Sequence, residues 1–204
     1  MKTQIAPSIL AADFLNIKSE IDKMKKAGIE MIHFDIMDGH FVPNITFGVD
    51  FLKNIRKCCS LIFDVHLMVT NPDLFIAPFA EAGADVILFH REVSDFPLRL
   101  IKKIKSLKKK AGITLNPVTK IETIDTILPE LDQVLLMSVE PGFYGQAFIP
   151  FVLKKIESLK AIIVKNNYKT LIEVDGGINE KNKNDIISAG ADILVMGAGF
   201  FKKK

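Results

Sequence analysis

The stretch "AGIEMIHFDIMDG", residues 27–39, decides the fold of this chain. Ala27-Gly28-Ile29-Glu30 ends a helical pattern with a glycine, which readily takes the left-handed conformation after a helix, and an apolar run over 30–36 follows. Side chains two residues apart on a strand share a face, so His33 and Asp35 point the same way. The stretch therefore predicts a helix end, a buried strand and a polar site on one face of that strand.

The same junction recurs three times, at Ala82-Gly83-Ala84-Asp85, Ala111-Gly112-Ile113-Thr114 and Ala189-Gly190-Ala191-Asp192. The spacing of its glycines is close to one, two or three units of roughly 27 residues. Apolar runs typical of strands buried on both faces predict eight strands, at residues 4–9, 30–36, 61–67, 85–89, 112–115, 133–138, 170–175 and 192–196. Seven amphipathic helices are predicted between them. The chain thus repeats a βα unit.

Eight parallel strands with crossover helices form either a (β/α)8 barrel or an open doubly wound sheet. Residues suited to a site stand at the predicted strand ends: Ser8, His33, Asp35, His66, Asn116, Ser138, Asp175 and Gly197. In a barrel all these ends meet at one mouth, whereas an open sheet gathers only those at its switch point. We therefore predict an α/β fold, a single (β/α)8 TIM-barrel domain over residues 1–204. Its C-terminal helix should be short or missing, because the chain reaches Lys204 before an eighth full helix.

Composition excludes several classes of protein. Hydrophobic residues make up 49% of the chain and charged residues 25%, as in an ordinary globular protein, and no run of eighteen apolar residues predicts a membrane span. The N-terminus lacks a secretory signal, so we expect a cytoplasmic protein without a membrane partner. Lysine runs at 108–110 and 202–204 carry no nucleic-acid motif or interleaved aromatics. We therefore expect no nucleic-acid partner, while a phosphorylated small molecule remains compatible with the net charge of +3.

Two histidines and two carboxylates at three strand ends form a candidate metal site: His33, Asp35, His66 and Asp175. A lone histidine at a strand end is usually a hydrogen-bonded structural residue, but convergence from three strands at a barrel mouth favours a metal. The donors suit one divalent ion, Zn²⁺, Fe²⁺, Mn²⁺ or Co²⁺, rather than Mg²⁺ or Ca²⁺. Asp64 and Glu173 lie one layer deeper, where each would either orient a ligand or pair with a lysine.

Three glycine-containing loops follow neighbouring strands: "PGFYGQ" (141–146), "DGG" (175–177) and "GAGFF" (197–201). One glycine pair after a strand usually makes only a turn, but three such loops on adjacent strands predict a phosphate site, because barrels often bind phosphate there. Met37, Met68 and Met137 also fall near the mouth. Each alone is typical of a core, whereas together they predict an apolar collar that excludes water from a substrate pocket.

Long motifs resemble ribulose-phosphate 3-epimerase over nearly the whole chain: "APSILAADF", "HFDIMDGHFVPNITFG", "DVHLMV", "LNP", "MSVEPGFYGQAFIP" and "EVDGGIN". The resemblance implies an isomerase of carbohydrate metabolism that interconverts D-ribulose 5-phosphate and D-xylulose 5-phosphate in the pentose phosphate pathway. Epimerisation needs a pair of acid/base groups, and Asp35 and Asp175 are the catalytic candidates. The resemblance also implies a metal cofactor and a homo-oligomer.

By the same resemblance, substrate contacts fall on Ser8, His66, Gly142, Phe143, Tyr144, Gly145, Gly176, Gly177, Gly197 and Ala198. Three positions depart from the family's usual residues. Tyr144 replaces glycine, Ala198 replaces serine and Glu140 replaces asparagine. These departures leave open a sister epimerase that acts on a related ketose phosphate, such as allulose 6-phosphate.

Two further classes compete with an epimerase. Decarboxylation or aldol chemistry, as in relatives of orotidine-phosphate decarboxylase, generally uses a lysine at the barrel mouth. Those relatives carry the motif D-x-K-x-x-D, and the corresponding stretch "DIMDG" has no lysine. A noncatalytic barrel that binds sugar phosphate needs no acid/base pair, so Asp35 and Asp175 argue against it.

Overall fold

The computed structural model describes residues 3–201, in which eight strands form one parallel sheet that curls into a barrel. The strands are β1 (Gln4–Pro7), β2 (Met31–Met37), β3 (Ile62–Met68), β4 (Val86–His90), β5 (Lys110–Leu115), β6 (Gln133–Met137), β7 (Leu171–Asp175) and β8 (Ile193–Met196). Each pairs with the next from β2 to β8, and β8 pairs with β1. A parallel bridge between Ser8 and His33 joins the two ends of the sheet. The predicted (β/α)8 barrel is confirmed.

Helices cover the outside of the barrel. Those in the described residues are α1 (Ile17–Lys26), α2 (Val49–Arg56), α3 (Asp73–Ala82), α4 (Pro97–Ser106), α5 (Val152–Lys165), α6 (Lys183–Ala189) and α7 (Ala198–Phe201). Their apolar faces pack on the sheet, as Leu100, Ile101 and Ile104 of α4 do. The helix after β8 spans Ala198–Phe201 at the end of the described residues, and the lysine run at 202–204 lies outside them. Over residues 3–201, no helix has the length and apolarity needed to cross a bilayer.

One crossover differs from the prediction of seven intervening helices. Within residues 3–201, β5 and β6 are joined by two 3-10 turns, Ile121–Ile124 and Leu128–Glu130, instead of an α-helix. β-branched residues, which lose side-chain freedom in a helix, fill most of positions 118–127, and Pro129 cannot donate a helical hydrogen bond. Six α-helices therefore lie between the strands of the described barrel.

The third Ala-Gly junction, at Ala111-Gly112, also differs from the prediction. Gly28, Gly83 and Gly190 have the left-handed backbone predicted for them, but Gly112 lies inside β5 and has no positive φ. Lys108 takes the left-handed conformation after α4 instead, with φ of 60°. A Cβ atom at Gly112 would lie 2.1 Å from Leu88 Cδ2 on the neighbouring strand. Glycine is needed there for close packing between strands rather than for a helix end.

Alternation along the strands divides apolar from polar positions. On β2, Ile32 and Phe34 pack in the main core between the sheet and the helices, while His33 and Asp35 point into the barrel. A smaller apolar cluster fills part of the barrel interior, with Ala6, Met31, Ile193 and Val195. The interior thus holds apolar side chains as well as the polar side chains that lead to the C-terminal mouth.

Candidate active site

The ends of β2, β3 and β7 bring the four predicted metal ligands together: His33, Asp35, His66 and Asp175. Each offers one ligand atom, and these atoms all lie within 4.8 Å of one another. Asp35 Oδ1 is 3.3 Å from both His33 Nε2 and His66 Nδ1. Ser8, the residue after β1, donates from Oγ to Asp35 Oδ2 at 2.6 Å and so holds the second carboxylate oxygen. Alternation on the strands and parallel register produce this convergence.

The donor set fits a divalent ion. In the described part of the chain, His33 Nε2 is buried and has no hydrogen-bond partner. His33 Nδ1 donates to Asp64 Oδ2 at 2.6 Å, so a metal ion that displaced the proton on Nε2 would meet the lone pair of that nitrogen, on the side of the other ligand atoms. Two imidazole nitrogens with two carboxylates suit Zn²⁺, Fe²⁺, Mn²⁺ or Co²⁺. The unsatisfied nitrogen is explained if these residues hold such an ion.

Charges in this cluster compensate one another. Burial opposes ionisation of Asp35, but His33 outweighs it and lowers the pKa of Asp35 far below its usual value. Burial opposes protonation of His33 too, yet Asp35 raises the pKa of His33 well above its usual value. Burial lowers the pKa of His66 to about 4, and burial with the charge of Asp35 raises the pKa of Asp175 to about 7. A divalent cation would compete with protons for the same atoms.

A polar layer supports His33 from inside the barrel. Gln133 Nε2 donates to Glu173 Oε2 at 2.7 Å and to Asp64 Oδ1 at 3.3 Å. Glu173 Oε1 lies 3.5 Å from His33 Nδ1. Burial and the charge of Asp64 raise the pKa of Glu173 to about 8. Asp64 and Glu173 thus contact His33, the predicted ligand, and Gln133, and among the described residues neither pairs with a lysine.

A cavity of about 230 Å³ opens at this mouth. Asp35 and Asp175 line it, whereas His33 and His66 are fully buried and do not. The other predicted substrate contacts and the methionine collar all line it: Ser8, Gly142, Phe143, Tyr144, Gly145, Gly176, Gly177, Gly197, Ala198, Met37, Met68 and Met137. The structure therefore brings the four predicted metal ligands, the glycine loops and the methionine collar to one place.

Two glycines bring the loops after β6 and β7 close together. Gly176 and Gly177 have φ of 119° and 65°, in the left-handed region that side chains disfavour. A Cβ atom at Gly177 would lie 2.3 Å from the backbone nitrogen of Phe148, and one at Gly176 would lie 2.5 Å from Val139 Cγ2. Ser138 Oγ donates to the carbonyls of Asp175 and Gly176 and holds the end of β7 in place. The absence of side chains at Gly176 and Gly177 is therefore required for this close packing of the two loops.

His90 was missed by the sequence reasoning. It ends β4, where its Nε2 lies 2.8 Å from His66 Nε2, and its Nδ1 lies 3.3 Å from Glu92 Oε2. The predicted fourth strand stopped at residue 89, one position too early. A histidine that closes the run "VILFH" carries the same signal as His66, so the pattern could have revealed it.

Comparison with known proteins decides the family. A model of the ribulose-phosphate 3 epimerase family matches residues 4–201. The chain belongs to the ribulose-phosphate 3-epimerase family. Ribulose-phosphate 3-epimerase of Methanocaldococcus jannaschii is 48% identical over 200 residues, which cover 98% of this chain and 85% of that one. The corresponding protein of Bacillus subtilis is 46% identical over 199 residues, which cover 97% of this chain and 92% of that one.

Solved structures resemble the epimerase fold at low sequence identity. A mutant tryptophan synthase alpha-subunit from Pyrococcus furiosus superposes with a TM-score of 0.72 at 13% identity, over 98% of this chain and 89% of that chain. A 3-hexulose-6-phosphate synthase superposes with a TM-score of 0.63 at 16% identity, over 97% of this chain and 90% of that chain. At such identities the likeness shows the barrel fold alone.

Two of the positions that the resemblance marks as departures, Tyr144 and Ala198, lie at the cavity. Both residues line the cavity, and Tyr144 belongs to the loop after β6. Gln146 Nε2 holds that loop by donating to the carbonyls of Glu140 and Phe143, at 2.6 and 2.9 Å. Glu140, the third such position, contributes its backbone carbonyl to this contact, so the hydrogen bond does not depend on its side chain.

Proposed function

We propose that this enzyme epimerises C3 of D-ribulose 5-phosphate to give D-xylulose 5-phosphate. The observation that carries the proposal is that Asp35 and Asp175 line one cavity from β2 and β7, which are separated in the sheet by β1 and β8. Inversion at carbon requires that a proton leave one face and that another arrive at the opposite face. Two carboxyl groups that approach one substrate from different strands provide the two proton carriers.

A metal ion completes the proposed chemistry. His33, Asp35, His66 and Asp175 would hold one Zn²⁺, Fe²⁺, Mn²⁺ or Co²⁺. When bound, the ion supplies the positive charge that makes the hydrogen on C3 acidic enough for a carboxylate to remove. This help is needed because an aspartate with a usual pKa near 3.9 is a weak base for a carbon acid.

Other side chains have supporting roles in the proposal. Ser8 Oγ, which donates to Asp35 Oδ2, orients that carboxylate and can also contact a substrate oxygen. Met37, Met68 and Met137 exclude water, which would otherwise exchange protons with the intermediate on either face. The glycine loops after β6, β7 and β8 offer backbone N–H groups to the substrate phosphate.

Two alternatives are retained and separated by experiment. Tyr144 and Ala198 change the cavity wall, which favours testing allulose 6-phosphate as a second substrate. A noncatalytic sugar-phosphate-binding barrel would show no proton exchange. Among the described residues that line the cavity, none is a lysine, so decarboxylation or aldol chemistry lacks its usual group. A cytoplasmic location, a role in the pentose phosphate pathway and a homo-oligomer remain predictions.

Proton NMR of the metal-loaded protein in D2O tests the proposal. With D-ribulose 5-phosphate we expect deuterium at C3 together with D-xylulose 5-phosphate, and loss of both after chelation. Conversion that survives complete removal of the metal would refute the metal's role and leave the epimerase. Exchange with allulose 6-phosphate alone would identify the sister enzyme, and exchange with neither substrate would favour the binding protein.

A further inference from the structure

A series of hydrogen bonds runs from His66, in the predicted metal site, to Glu92 and the loop after β5. It begins at His66 Nε2, which is 2.8 Å from His90 Nε2. His90 Nδ1 then lies 3.3 Å from Glu92 Oε2. The other oxygen of Glu92 accepts from the backbone N–H of Asn116, at 2.8 Å, and from the hydroxyl of Thr119. These hydrogen bonds therefore link the ends of β3, β4 and β5 behind His66, one predicted metal ligand.

The ionised Glu92 carboxylate sets the direction of these hydrogen bonds. Burial opposes ionisation of Glu92, but hydrogen bonds with His90, Thr119 and the Asn116 N–H outweigh it and lower the pKa of Glu92 to about 2. An ionised carboxylate accepts only, so His90 Nδ1 carries the hydrogen that faces it. A neutral imidazole with a hydrogen on Nδ1 holds its lone pair on Nε2. His90 Nε2 must then accept from His66 Nε2–H.

We propose that Glu92 and His90 are positioning residues, which hold His66 as its Nε2–H tautomer and so present the Nδ1 lone pair to the metal cluster. His66 Nδ1 is the nitrogen that lies 3.3 Å from Asp35 Oδ1, on the side where the ligand atoms converge. The opposite tautomer would place a hydrogen there and block coordination. The inference rests on the proposed metal site, and it extends the role of the site's surroundings to β4 and the loop after β5.

Further contacts hold the partners of Glu92 in place. Lys155 Nζ on α5 donates to the carbonyl of Asn116 at 2.7 Å, which fixes the segment whose N–H and hydroxyl bind Glu92. Phe41 packs against the ring of His90, with the ring centroids 4.4 Å apart. Both contacts restrict the geometry in which the carboxylate and the imidazole can meet. Selection of one His66 tautomer requires that Glu92 and His90 keep a fixed geometry.

Glu92→Gln should reverse the donor and acceptor roles along these hydrogen bonds with little change of side-chain shape. The amide oxygen of Gln would accept from the Asn116 N–H, so its NH₂ group would face His90 Nδ1 and donate to it. His90 would then donate from Nε2, and His66 would carry its hydrogen on Nδ1. Two-bond ¹H–¹⁵N correlation spectra of the metal-free full chain, with ring-labelled histidines, report which nitrogen of each ring carries the hydrogen. Titration with Co²⁺, followed by its visible absorption, gives the affinity of the site.

Three further variants complete the design. His90→Gln can accept from His66 and donate to Glu92, so it should retain the wild-type tautomer and affinity. His90→Phe removes the acceptor and serves as a second test if Glu92→Gln misfolds. Thr114→Val is the matched control, because Thr114 is the register partner of His90 on β5, and its Oγ1 has no hydrogen-bond partner within residues 3–201. Circular dichroism checks the fold of each variant.

We expect Nε2–H His66 in the wild type, His90→Gln and Thr114→Val, and a shift to Nδ1–H in Glu92→Gln with Co²⁺ affinity reduced by about 10-fold or more. An unchanged tautomer and an affinity within about twofold of wild type in both Glu92→Gln and His90→Phe would overturn the positioning role alone. Failure of the wild type to bind Co²⁺ would overturn the metal site, and this inference with it.

Discussion

At the scale of the residue, Asp35 and Asp175 share one cavity but differ in their surroundings. Asp35 lies between His33 and His66 and accepts from Ser8, and the charge of a protonated His33 together with the Ser8 hydroxyl favours its ionised form. Asp175 lies beside the charge of Asp35, and its pKa is raised to about 7 by burial and that charge. In proteins, two acids whose environments push their pKa values apart are typical of an acid/base pair.

Replacing either aspartate by asparagine removes one proton carrier and leaves the other. We expect Asp35→Asn and Asp175→Asn each to slow epimerisation by roughly 10³-fold or more, with the barrel still folded. Each should keep exchange of the C3 hydrogen with one epimer only, and the two variants with opposite epimers, because the remaining group reaches one face of C3. Proton NMR in D2O, started from each epimer in turn, measures this. Exchange with both epimers in the same variant would contradict a two-carboxylate mechanism.

At the scale of the element, glycines in similar sequence contexts have different physical roles. Gly28 follows α1 with φ of 74°, and a Cβ atom there would meet nothing within 4 Å. Gly112 has an ordinary backbone within β5, and a Cβ atom there would overlap the side chain of Leu88. Conformation explains the first glycine and packing explains the second. The Ala-Gly pattern by itself does not separate the two.

The difference predicts different responses to alanine. Gly112→Ala should lower the free energy of unfolding by about 2 kcal/mol through overpacking. Gly28→Ala should cost about 1 kcal/mol through its left-handed backbone. In urea denaturation, Leu88→Ala should show a coupling above about 0.5 kcal/mol with Gly112→Ala and none with Gly28→Ala. Purely additive effects of Leu88→Ala and Gly112→Ala would show that the close contact carries no strain.

At the scale of the whole molecule, a buried polar layer crosses the barrel. Gln133 on β6 bridges Asp64 on β3 and Glu173 on β7, and both carboxyl groups face His33 on β2. Four strands therefore meet through side chains as well as through the sheet. Such a layer stabilises the barrel only while each of its members keeps its partner.

Removing the bridge should weaken the whole barrel. We expect Gln133→Leu to lower the free energy of unfolding by about 3 kcal/mol, because two buried carboxyl groups lose their shared donor. Thr114→Val again serves as the control, since its buried hydroxyl has no partner among residues 3–201 and its loss should be nearly neutral. Thermal and urea unfolding of the metal-free proteins measure both changes. Equal stability of the two variants would mean that the bridge contributes nothing.

The sequence by itself determined the alternation of strands and helices and the mouth where His33, Asp35, His66 and Asp175 gather. These features follow from the period-two and helical patterns of neighbouring residues and from the common direction of parallel strands. The β5–β6 crossover was the exception, because its apolar residues resemble a helix pattern while their β-branched side chains and Pro129 favour tight turns.

Only the tertiary structure decided which distant residues support the site. Gln133 reaches Asp64 across 69 positions of sequence, and Glu92 reaches Asn116 across 24. The close approach of Gly112 to Leu88 likewise depends on how β4 and β5 are paired. Local periodicity states which face of a strand a side chain occupies, but partners across a barrel depend on register and closure, which arise when all the strands pack together.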